Sequence, residues 1–419
     1  MNTRICIIGA GPAGLMAALH AATDRTPTLL VETNATAGRK LLLTGGGRCN
    51  FTHAGNPEEL ARTFGPAGRF LRHSLYEFSP EQVREFFRSR GLVSTREPDG
   101  CVFPASNRAG DVRDVLVAEC ERLGVRFLYR SKGMSVTAGE NGFTVRTEGG
   151  QVVAARVILA TGGVSWPQTG SRGDGYRFAA QLGHTIVPPK PALVPLITQE
   201  PWPGALAGVS LPAVKIGTGA GGRKSTVAGG MLFTQEGIGG PAVLDLSRLL
   251  VDVLTEDRRG VEVSIDVLPA LDETQLDRQL QRNFRDHPKK TVVTILSELV
   301  PRQFARTLCR LVDCEGESPA GQLSAQKRKQ LVGVLKRLPL HVIGTEPIAK
   351  ATVTRGGVCL HEIDPRTLES KIRPGLFFAG EIIDLDGPCG GYNLQMCWST
   401  GAAAGRAAAR SLSRTRPPT

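Results

Sequence analysis

Short apolar runs and a glycine-rich turn alternate at the start of the chain. Residues 3–8 are apolar and rich in β-branched side chains, a pattern that predicts a buried parallel strand. Residues 12–22 are rich in Ala and Leu and predict a helix, and residues 28–31 predict a second buried strand that ends before Glu32. This order of strand, glycine turn, helix and strand is typical of a βαβ unit with a parallel sheet.

Weaker patterns continue the domain. Residues 79–91 and 111–124 predict helices, each with a glycine at the expected C-terminal position. Residues 127–129, 142–147 and 151–154 predict short strands, which we interpret as a small antiparallel sheet.

The pattern changes near the middle of the chain. Residues 156–160 predict another continuous buried strand, but four prolines between 188 and 195 mark a linker. Residues 192–268 are strand-like with glycine turns, residues 272–338 are helix-like and charged, and strand character returns near Ile343. The predicted domains are a discontinuous α/β domain at 1–190 and 345–419, a β-rich insert subdomain at 191–270 and a helical insert subdomain at 271–344.

Composition limits the possible classes of protein. The chain has 419 residues, of which 41% are hydrophobic and 21% charged, and this excludes a largely disordered chain. No apolar run approaches the roughly 18 residues that cross a bilayer, and no secretory signal pattern is visible, so we expect a cytoplasmic protein. The nine cysteines contain no CxxC pair, which argues against a disulfide framework and against a structural metal site.

The net charge raises one alternative. Lys and Arg number 51 and Asp and Glu 39, so the net charge is +12, and a basic protein can attract nucleic acid. The basic residues are scattered, and aromatic residues, which stack on bases, make up only 5%. A solvated basic surface is therefore favoured over a nucleic-acid interface.

The glycine turn reads Gly9-Ala10-Gly11-Pro12-Ala13-Gly14, a GxGxxG motif between the first strand and the first helix. The first glycine permits the tight turn, the second permits close approach of a pyrophosphate, and the third permits close helix packing. The helix N-terminus adds amide donors, and Glu32, about twenty residues later, is placed to accept from ribose hydroxyls. The motif in this context predicts dinucleotide binding.

Two further segments favour FAD over NAD. Residues 156–163 and 375–381 resemble strands that flavoproteins of the glutathione-reductase type place against FAD, and Glu381 matches the acidic residue that binds the cofactor there. A glycine-rich loop at 387–391 then leads into an Ala-rich helix. The N-terminal amides of that helix would stabilise negative charge on a reduced flavin.

A long loop at residues 38–52 carries both charge and glycine. Arg39 and Lys40 follow Glu32 closely enough to reach phosphates, and a glycine run precedes Arg48-Cys49-Asn50. Long loops in compact domains usually bind something or are mobile. We therefore interpret this loop as part of the cofactor site.

Five segments resemble the YhiN/BaiN-like family of bacterial FAD-dependent oxidoreductases, in matching order over nearly the whole chain. The segments are GRKLLLTGGGRCNFT (38–52), ATGGVSWPQTGSRGDGY (160–176), LFTQEGIGGPAVLDLS (232–247), ATVTRGGV (351–358) and FAGEIIDLDGPCGGYNLQMCWSTG (378–401). The resemblance implies an α/β protein, with a discontinuous Rossmann-type FAD-binding domain and an inserted β-barrel-like plus helical domain. Most members of the family have no assigned substrate.

The motifs and the resemblance together predict a set of residues that bind non-covalent FAD. These are Gly9, Gly11, Pro12, Ala13, Gly14, Glu32, Arg39, Lys40, Arg48, Cys49, Gly133, Ala160, Thr161, Gly162, Gly380, Glu381, Gly391, Tyr392, Asn393 and Leu394. The chain departs from the family at Gly239, where relatives often have Ser, and at Gly133, where a β-branched residue is common and a backbone amide would meet the adenine.

Catalytic residues are less defined by the sequence. Cys49 is a candidate redox thiol, His53 and Tyr392 are candidate proton donors, and Arg48 is a candidate anion clamp, but each also has an ordinary structural interpretation. A second glycine motif at 237–242 predicts a strand-to-helix turn rather than a nicotinamide site, because no clear βαβ unit follows it.

Three functions remain open. The first is an FAD-dependent oxidoreductase that transfers hydride between a small organic substrate and FAD, with NAD(P)H as electron donor or oxygen as acceptor. The second is a flavin-dependent RNA-modifying protein, motivated by the net charge and the basic helical insert. The third is a flavin-binding protein without turnover. Low aromatic content and scattered charge favour the first.

Overall fold

The computed structural model describes residues 1–219, 224–256 and 259–413. The strands are β1 (Asn2–Ile8), β2 (Thr28–Val31), β3 (Thr52–His53), β4 (Ser94–Arg96), β5 (Cys101–Pro104), β6 (Arg126–Leu128), β7 (Gly133–Gly139), β8 (Gly142–Thr147), β9 (Gly150–Leu159), β10 (Ile186–Ala192), β11 (Leu196–Thr198), β12 (Ser210–Thr218), β13 (Ser225–Phe233), β14 (Gly237–Gly239), β15 (Val261–Asp266), β16 (Leu338–Thr345), β17 (Val353–Val358) and β18 (Leu376–Phe378). The α-helices are α1 (Pro12–Ala21), α2 (Pro57–Thr63), α3 (Gly68–Glu77), α4 (Pro80–Arg88), α5 (Ala109–Arg122), α6 (Asp174–Gln181), α7 (Pro241–Glu256), α8 (Glu273–Asp286), α9 (Val292–Leu296), α10 (Arg302–Leu311), α11 (Ala325–Lys336) and α12 (Tyr392–Ser413).

The chain divides into two compact units. The α/β unit comprises Met1–Pro191 and Thr352–Thr419, and the barrel unit comprises Ala192–Ala351. The barrel and the helices of the second unit share one hydrophobic cluster. The predicted separation of the insert into two subdomains stays a prediction. None of the described helices is both long and apolar enough to cross a membrane.

The main sheet of the α/β unit has a parallel core. Strands β6, β2, β1 and β9 lie side by side in that order, and β18 pairs in parallel with the end of β9. The antiparallel strands β8 and β7 extend the sheet beyond β9. Since the carboxyl ends of parallel strands meet at one edge, the segments that follow β1, β2, β9 and β18 come together there.

Two predictions about strands in this sheet are wrong. Residues 151–154 and 156–160 were predicted as separate strands, but β9 runs without a break from Gly150 to Leu159. Its first half pairs antiparallel with β8 and its second half pairs parallel with β18, while β1 follows its other edge. Residues 127–129 were assigned to an antiparallel sheet, but β6 pairs in parallel with β2.

Residues 57–77, for which the sequence analysis predicts no element, form α2 and α3. The start of α2 has a capping box: the Asn56 side chain accepts from the amide of Glu59, and the Glu59 side chain accepts from the amide of Asn56. Pro57 occupies the first helical position, where its missing N–H costs nothing. These local signals were available in the sequence.

The barrel unit contains a closed antiparallel barrel in the order β11-β14-β13-β12-β15-β16. The predicted strand-to-helix turn at 237–242 is confirmed, because β14 ends at Gly239 and α7 begins at Pro241. The predicted strand-like region 192–268 therefore also contains a helix. The glycines at 217–222 also predict a hairpin turn; residues 217 and 218 form the end of β12, and residues 220–222 lie outside the described part of the chain.

Candidate functional site

The GxGxxG turn joins β1 to α1 with very little space for side chains. Gly9 has φ +103°, and a Cβ on Gly14 would lie 1.8 Å from the carbonyl oxygen of Gly9. In contrast, apart from Gly11 itself and its two neighbours in the chain, no described heavy atom lies within 4 Å of the position of a Cβ on Gly11. Gly11 is also the N-cap of α1, and no side chain caps the helix there, so amides of its first turn have no acceptor within the helix. This geometry fits a pyrophosphate.

Glu32 follows β2 and is buried against the same turn. Its Oε2 accepts from the amide of Ala10 at 2.8 Å, and its Oε1 accepts from the amide and the side-chain Nδ2 of Asn34 at 2.8 and 2.7 Å. Arg39 Nη1 donates to Asn34 Oδ1 at 2.9 Å. Three of about four acceptor positions on the carboxylate are therefore used within the chain, which leaves one for a ribose hydroxyl.

Lys40 forms the centre of a half-buried polar network. Its Nζ donates to Ser165 Oγ at 2.6 Å and to Glu381 Oε2 at 2.8 Å. Glu381 Oε1 accepts from Ser165 Oγ at 3.0 Å and from the amide of Thr354 at 2.9 Å. Thr354 Oγ1 in turn accepts from the amides of Val164 and Ser165. The network ties together the loops that follow β2, β9 and β18.

The sequence motifs do not indicate three further residues of the site, which are Asn34, Ser165 and Thr354. Ser165 lies in the segment 160–176 and Thr354 in the segment 351–358, both of which were singled out as family motifs without a role for these side chains. Asn34 had no signal beyond its position two residues after Glu32.

The residues after β9 and at the start of β7 pack against the turn and the first strand. A Cβ on Gly9 would lie 2.5 Å from the carbonyl oxygen of Ala160, so the backbone of Ala160 packs directly against the turn and leaves room only for glycine. Thr161 and Gly162 follow, and Gly162 has φ +71°. A Cβ on Gly133 would lie 3.3 Å from the ring of Phe178, so packing by itself accounts for a small residue there.

Gly380 connects the second FAD segment to α1. It has φ +74°, and a Cβ there would lie 2.6 Å from the Cβ of Ala13. Its amide donates to Thr400 Oγ1 at 2.9 Å. Glu381 is thereby held close to the start of α1, where Pro12 occupies the first helical turn.

Arg48 is already engaged by its neighbours. Its guanidinium lies 3.8 Å from the ring centroid of Phe103, donates to Asn107 Oδ1 at 2.9 Å and forms an ion pair with Glu97. An anion clamp at Arg48 would have to compete with the carboxylate of Glu97. These contacts favour a structural role for Arg48.

Cys49 is fully buried, and its backbone has φ +63°. Burial raises the pKa of the Cys49 thiol to about 12. The thiolate is the reactive form of cysteine, so at neutral pH this thiol stays protonated. The structure therefore favours a buried structural thiol over a redox thiol.

His53 and Tyr392 form a stacked pair at the start of α12. Their ring centroids are 4.3 Å apart and their planes differ by 21°. His53 Nδ1 lies 2.9 Å from the carbonyl oxygen of Gly390, and His53 Nε2 would be 2.5 Å from a Cβ on Gly100. Both ring nitrogens of His53 thus face backbone, which leaves Tyr392 as the better candidate for a proton donor.

The loop before α12 is closed by Asn393. Its Oδ1 accepts from the amide of Gly387 at 2.8 Å, and its Nδ2 donates to the carbonyl oxygens of Gly387 and Pro388. A Cβ on Gly391 would lie 2.4 Å from the carbonyl oxygen of Thr52, so the backbone of the loop packs directly against the backbone of β3. This packing fixes the first turn of α12, which includes Leu394.

The fold and the site together define a class of protein, a Rossmann-type dinucleotide-binding protein with a closed barrel inserted into it. Residues 3–407 match the family described as HI0933-like protein Rossmann domain. The chain belongs to this family, and the predicted fold class and the predicted family are confirmed. At the level of class, the enzyme is an FAD-dependent oxidoreductase. Contacts of the individual residues with FAD stay predictions.

Two named relatives align over almost the whole chain. The chain is 34% identical over 412 residues to a protein named 3-dehydro-bile acid delta(4,6)-reductase from Clostridium scindens, with 97% of this chain and 99% of that protein covered. It is 34% identical over 398 residues to a protein named ribosomal RNA dihydrouridine synthase from Escherichia coli, with 94% and 95% covered.

Solved structures with the same fold are more distant in sequence. The FrdA chain of Escherichia coli quinol fumarate reductase superposes with a TM-score of 0.55 at 17% identity, covering 100% of this chain and 72% of that chain. A 3-ketosteroid delta1-dehydrogenase from Sterolibacterium denitrificans gives a TM-score of 0.53 at 14% identity, covering 98% and 100%. At these identities the likeness shows the fold alone.

Proposed function

We propose that this enzyme saturates a carbon–carbon double bond conjugated to a carbonyl group in a small organic substrate, with NAD(P)H as the electron donor. The observation that carries the proposal is the open cradle at Gly11 together with the Lys40–Glu381 network at the same sheet edge. Both features fit a dinucleotide cofactor, and the family is of the FAD-dependent type.

The names of the two relatives support this type of reaction. A delta(4,6)-reductase acting on a 3-dehydro-bile acid removes a double bond conjugated to a ketone. A dihydrouridine synthase acts on the ring double bond of uridine, which is also conjugated to a carbonyl. The two substrates differ greatly in size and charge, but the reacting groups are alike. We therefore propose the reacting group of the substrate, a carbon–carbon double bond conjugated to a carbonyl group, and leave the rest of the substrate unassigned.

We propose separate roles in cofactor binding and proton transfer for the residues of the site. The first turn of α1 would hold the pyrophosphate, Glu32 a ribose hydroxyl, and Lys40 would use its remaining N–H on the cofactor. When bound, FAD supplies the hydride chemistry. Tyr392 is proposed to deliver the proton to the other carbon of the double bond, and His53 to position Tyr392 by stacking.

NAD(P)H is proposed to act directly at the flavin, without a nucleotide-binding domain of its own. The second glycine motif is packed as a turn: a Cβ on Gly240 would lie 3.0 Å from the carbonyl oxygen of Gly230 and from the amide of Leu232. That segment offers little room for a second pyrophosphate, which supports transient binding of the donor elsewhere.

The test is the reoxidation of photoreduced holoenzyme under anaerobic conditions. We expect a 3-oxo-4-ene steroid or a simple cyclic enone to restore the oxidised flavin spectrum within seconds, while the saturated ketone of the same skeleton leaves it unchanged. Product analysis should find two added hydrogens. If neither enone reoxidises the flavin faster than the saturated control, the proposed reaction is wrong.

A uridine base in RNA is the second candidate substrate. The net charge of +12 and the name of the Escherichia coli relative favour it. The same reoxidation experiment separates the candidates, because RNA that contains uridine should then restore the spectrum and the free enones should not. RNA in which uridine is replaced by cytidine is the matched control.

A further inference from the structure

We propose that the exposed face of α8, with the turn that follows it, binds the phosphate backbone of RNA. We define the α8 basic face as Arg278, Arg282, Arg285 and Lys289. The inference rests on the second candidate function and deepens it, because it locates the surface of the barrel unit that would hold the RNA.

Helix α8 has one apolar face and one basic face. Leu276, Leu280 and Phe284 are buried in the core of the barrel unit. Arg278 and Arg282 lie four residues apart, with Arg285 three residues further on, and this spacing places their side chains on one face. That face is opposite the buried one, and all three side chains are exposed.

The acidic residues near this face are largely neutralised by other partners. Glu273 pairs with Arg337, and Asp277 pairs with Arg328 at 2.8 Å. Arg278 and Arg282 form no ion pair among the described residues, and Lys289, just beyond the helix, forms none either. The positive charge is therefore available to an outside anion.

The guanidinium group of Arg285 is partly engaged by a neighbouring carboxylate. Its Nε lies 3.1 Å from Asp286 Oδ1, but both side chains are largely exposed, so the pair is weak and a phosphate can compete for the guanidinium. The ion pair of Asp277 with Arg328 also brings α11 beside α8.

The composition of this face fits RNA better than a membrane. An amphipathic helix that lies on a bilayer inserts apolar side chains, but the apolar side chains of α8 are buried in the core of their own unit. The polar residues beside the arginines include Gln275, Gln281 and Asn283, whose amides can bond to phosphate and sugar oxygens. Guanidinium groups also bind phosphate in a bidentate manner.

The test compares RNA affinity at several salt concentrations. The probe is a fluorescein-labelled RNA hairpin with a uridine-rich loop, titrated with holoenzyme. In the test variant, Arg278, Arg282, Arg285 and Lys289 are each changed to Gln. Because each lost phosphate contact lowers the slope of log affinity against log salt by about 0.7–0.9, we expect the slope to fall by about 3 and the Kd at low salt to rise at least about thirtyfold.

The control variant removes the same charge from the α/β unit, by changing Arg4, Arg25, Arg126 and Arg146 to Gln. These side chains are exposed and form no ion pair among the described residues. We expect this variant to keep the salt slope of the natural protein to within about one unit. A similar loss in both variants would overturn the proposal, since binding would then depend on net charge alone.

Three further outcomes overturn the proposal. The first is a natural protein that does not bind the hairpin, and the second is an α8 variant that binds it normally. The third is binding of phosphatidylglycerol vesicles in place of RNA. The flavin content and the reoxidation by saturating uridine-containing RNA, measured on the same preparations, report separately on the second candidate function, because a saturating concentration compensates for weaker binding at α8.

Discussion

The α/β unit and the barrel unit each contain a lysine that is largely buried and ion-paired. In the barrel unit, Lys336 Nζ donates to Asp266 Oδ2 at 2.7 Å and to the carbonyl oxygens of Leu268 and Leu271. An ammonium group has three hydrogens, so this lysine is fully used. Lys40 in the α/β unit has only two acceptors among the described residues. Lys336 therefore has a structural role, whereas Lys40 has one N–H left over, which we propose binds the cofactor.

A pair of glycines, one in each unit, shows the same difference between a position open to a ligand and a purely structural position. In the α/β unit, Gly11 lies at the N-terminus of α1 with open space in front of it, although its backbone conformation suits any residue. In the barrel unit, Gly333 lies inside α11, and apart from the neighbouring backbone of that helix no described heavy atom lies within 4 Å of the position of a Cβ on Gly333. A methyl group at Gly11 is expected to interfere only with the bound cofactor. At Gly333 the glycine only lowers the stability of its helix relative to alanine. The matched pairs below test this comparison.

The largest effect is expected from Tyr392→Phe in the α/β unit. Loss of a general acid costs about a hundredfold or more in rate, so kcat with an enone should fall about a hundredfold while the flavin content stays normal. The measurement is steady-state turnover with the reduction of the flavin followed separately.

Tyr176→Phe is the control for that change. The Tyr176 hydroxyl is buried and has no hydrogen-bond partner among the described residues, so its removal should leave kcat unchanged and should not lower stability. An equal fall in kcat in both variants would remove Tyr392 as the proton donor.

The two lysines come next. Lys40→Met and Lys336→Met each leave a carboxylate without its partner, and since both pairs keep some exposure, each should lower the free energy of unfolding by about 2 kcal/mol. Only Lys40→Met should also weaken FAD binding, by about tenfold. Denaturant unfolding and FAD titration measure the two quantities. Equal FAD affinity in the two variants would contradict the comparison.

A pH effect of similar size is expected from His20 in the α/β unit. Burial, with the nearby Arg406 and Arg90, lowers the pKa of His20 from 6.5 to about 3. The unfolded chain therefore binds a proton below pH 6.5 that the folded chain does not bind until about pH 3. The contribution of His20 to the free energy of unfolding is therefore fully present above pH 6.5. It decreases as the pH falls, by about 1.4 kcal/mol per pH unit at most. His20→Leu should flatten this dependence; an unchanged pH slope would show that another group causes it.

The smallest effects come from the glycine pair. Gly11→Ala should fold normally but weaken FAD binding about tenfold, because the methyl group occupies the space that the pyrophosphate needs. Gly333→Ala should leave FAD binding unchanged and raise the free energy of unfolding by about 0.5–1 kcal/mol. Normal FAD affinity in Gly11→Ala would mean that the cofactor does not approach this turn.

The parts of the fold that the sequence predicted are those with local causes. The βαβ start is defined by a glycine turn and by two short buried strands, all within about thirty residues. The strand β9 was divided because its pattern changes along its length: Gly150–Ala154 alternates in burial beside β8, and Val157–Leu159 is buried on both faces. One strand with two kinds of neighbour cannot be recognised from periodicity alone.

The polar network of the site could not be predicted for a different reason. Lys40 and Glu381 are 341 residues apart in the chain, and Ser165 and Glu381 are 216 apart. Only the sheet topology brings these side chains to one edge, because each follows a different parallel strand. Glu381 was singled out from a resemblance, but its partners are visible only in the structure.

The decisive measurement is the visible spectrum of the purified protein during anaerobic titration with NADH and then NADPH. We expect bound flavin in a ratio near one per chain, with an absorbance that bleaches on addition of one of these donors. Protein that binds no flavin, even after incubation with FAD, would contradict the assignment of the cofactor itself. Bound flavin that neither donor reduces would leave the cofactor site intact and overturn NAD(P)H as the electron donor.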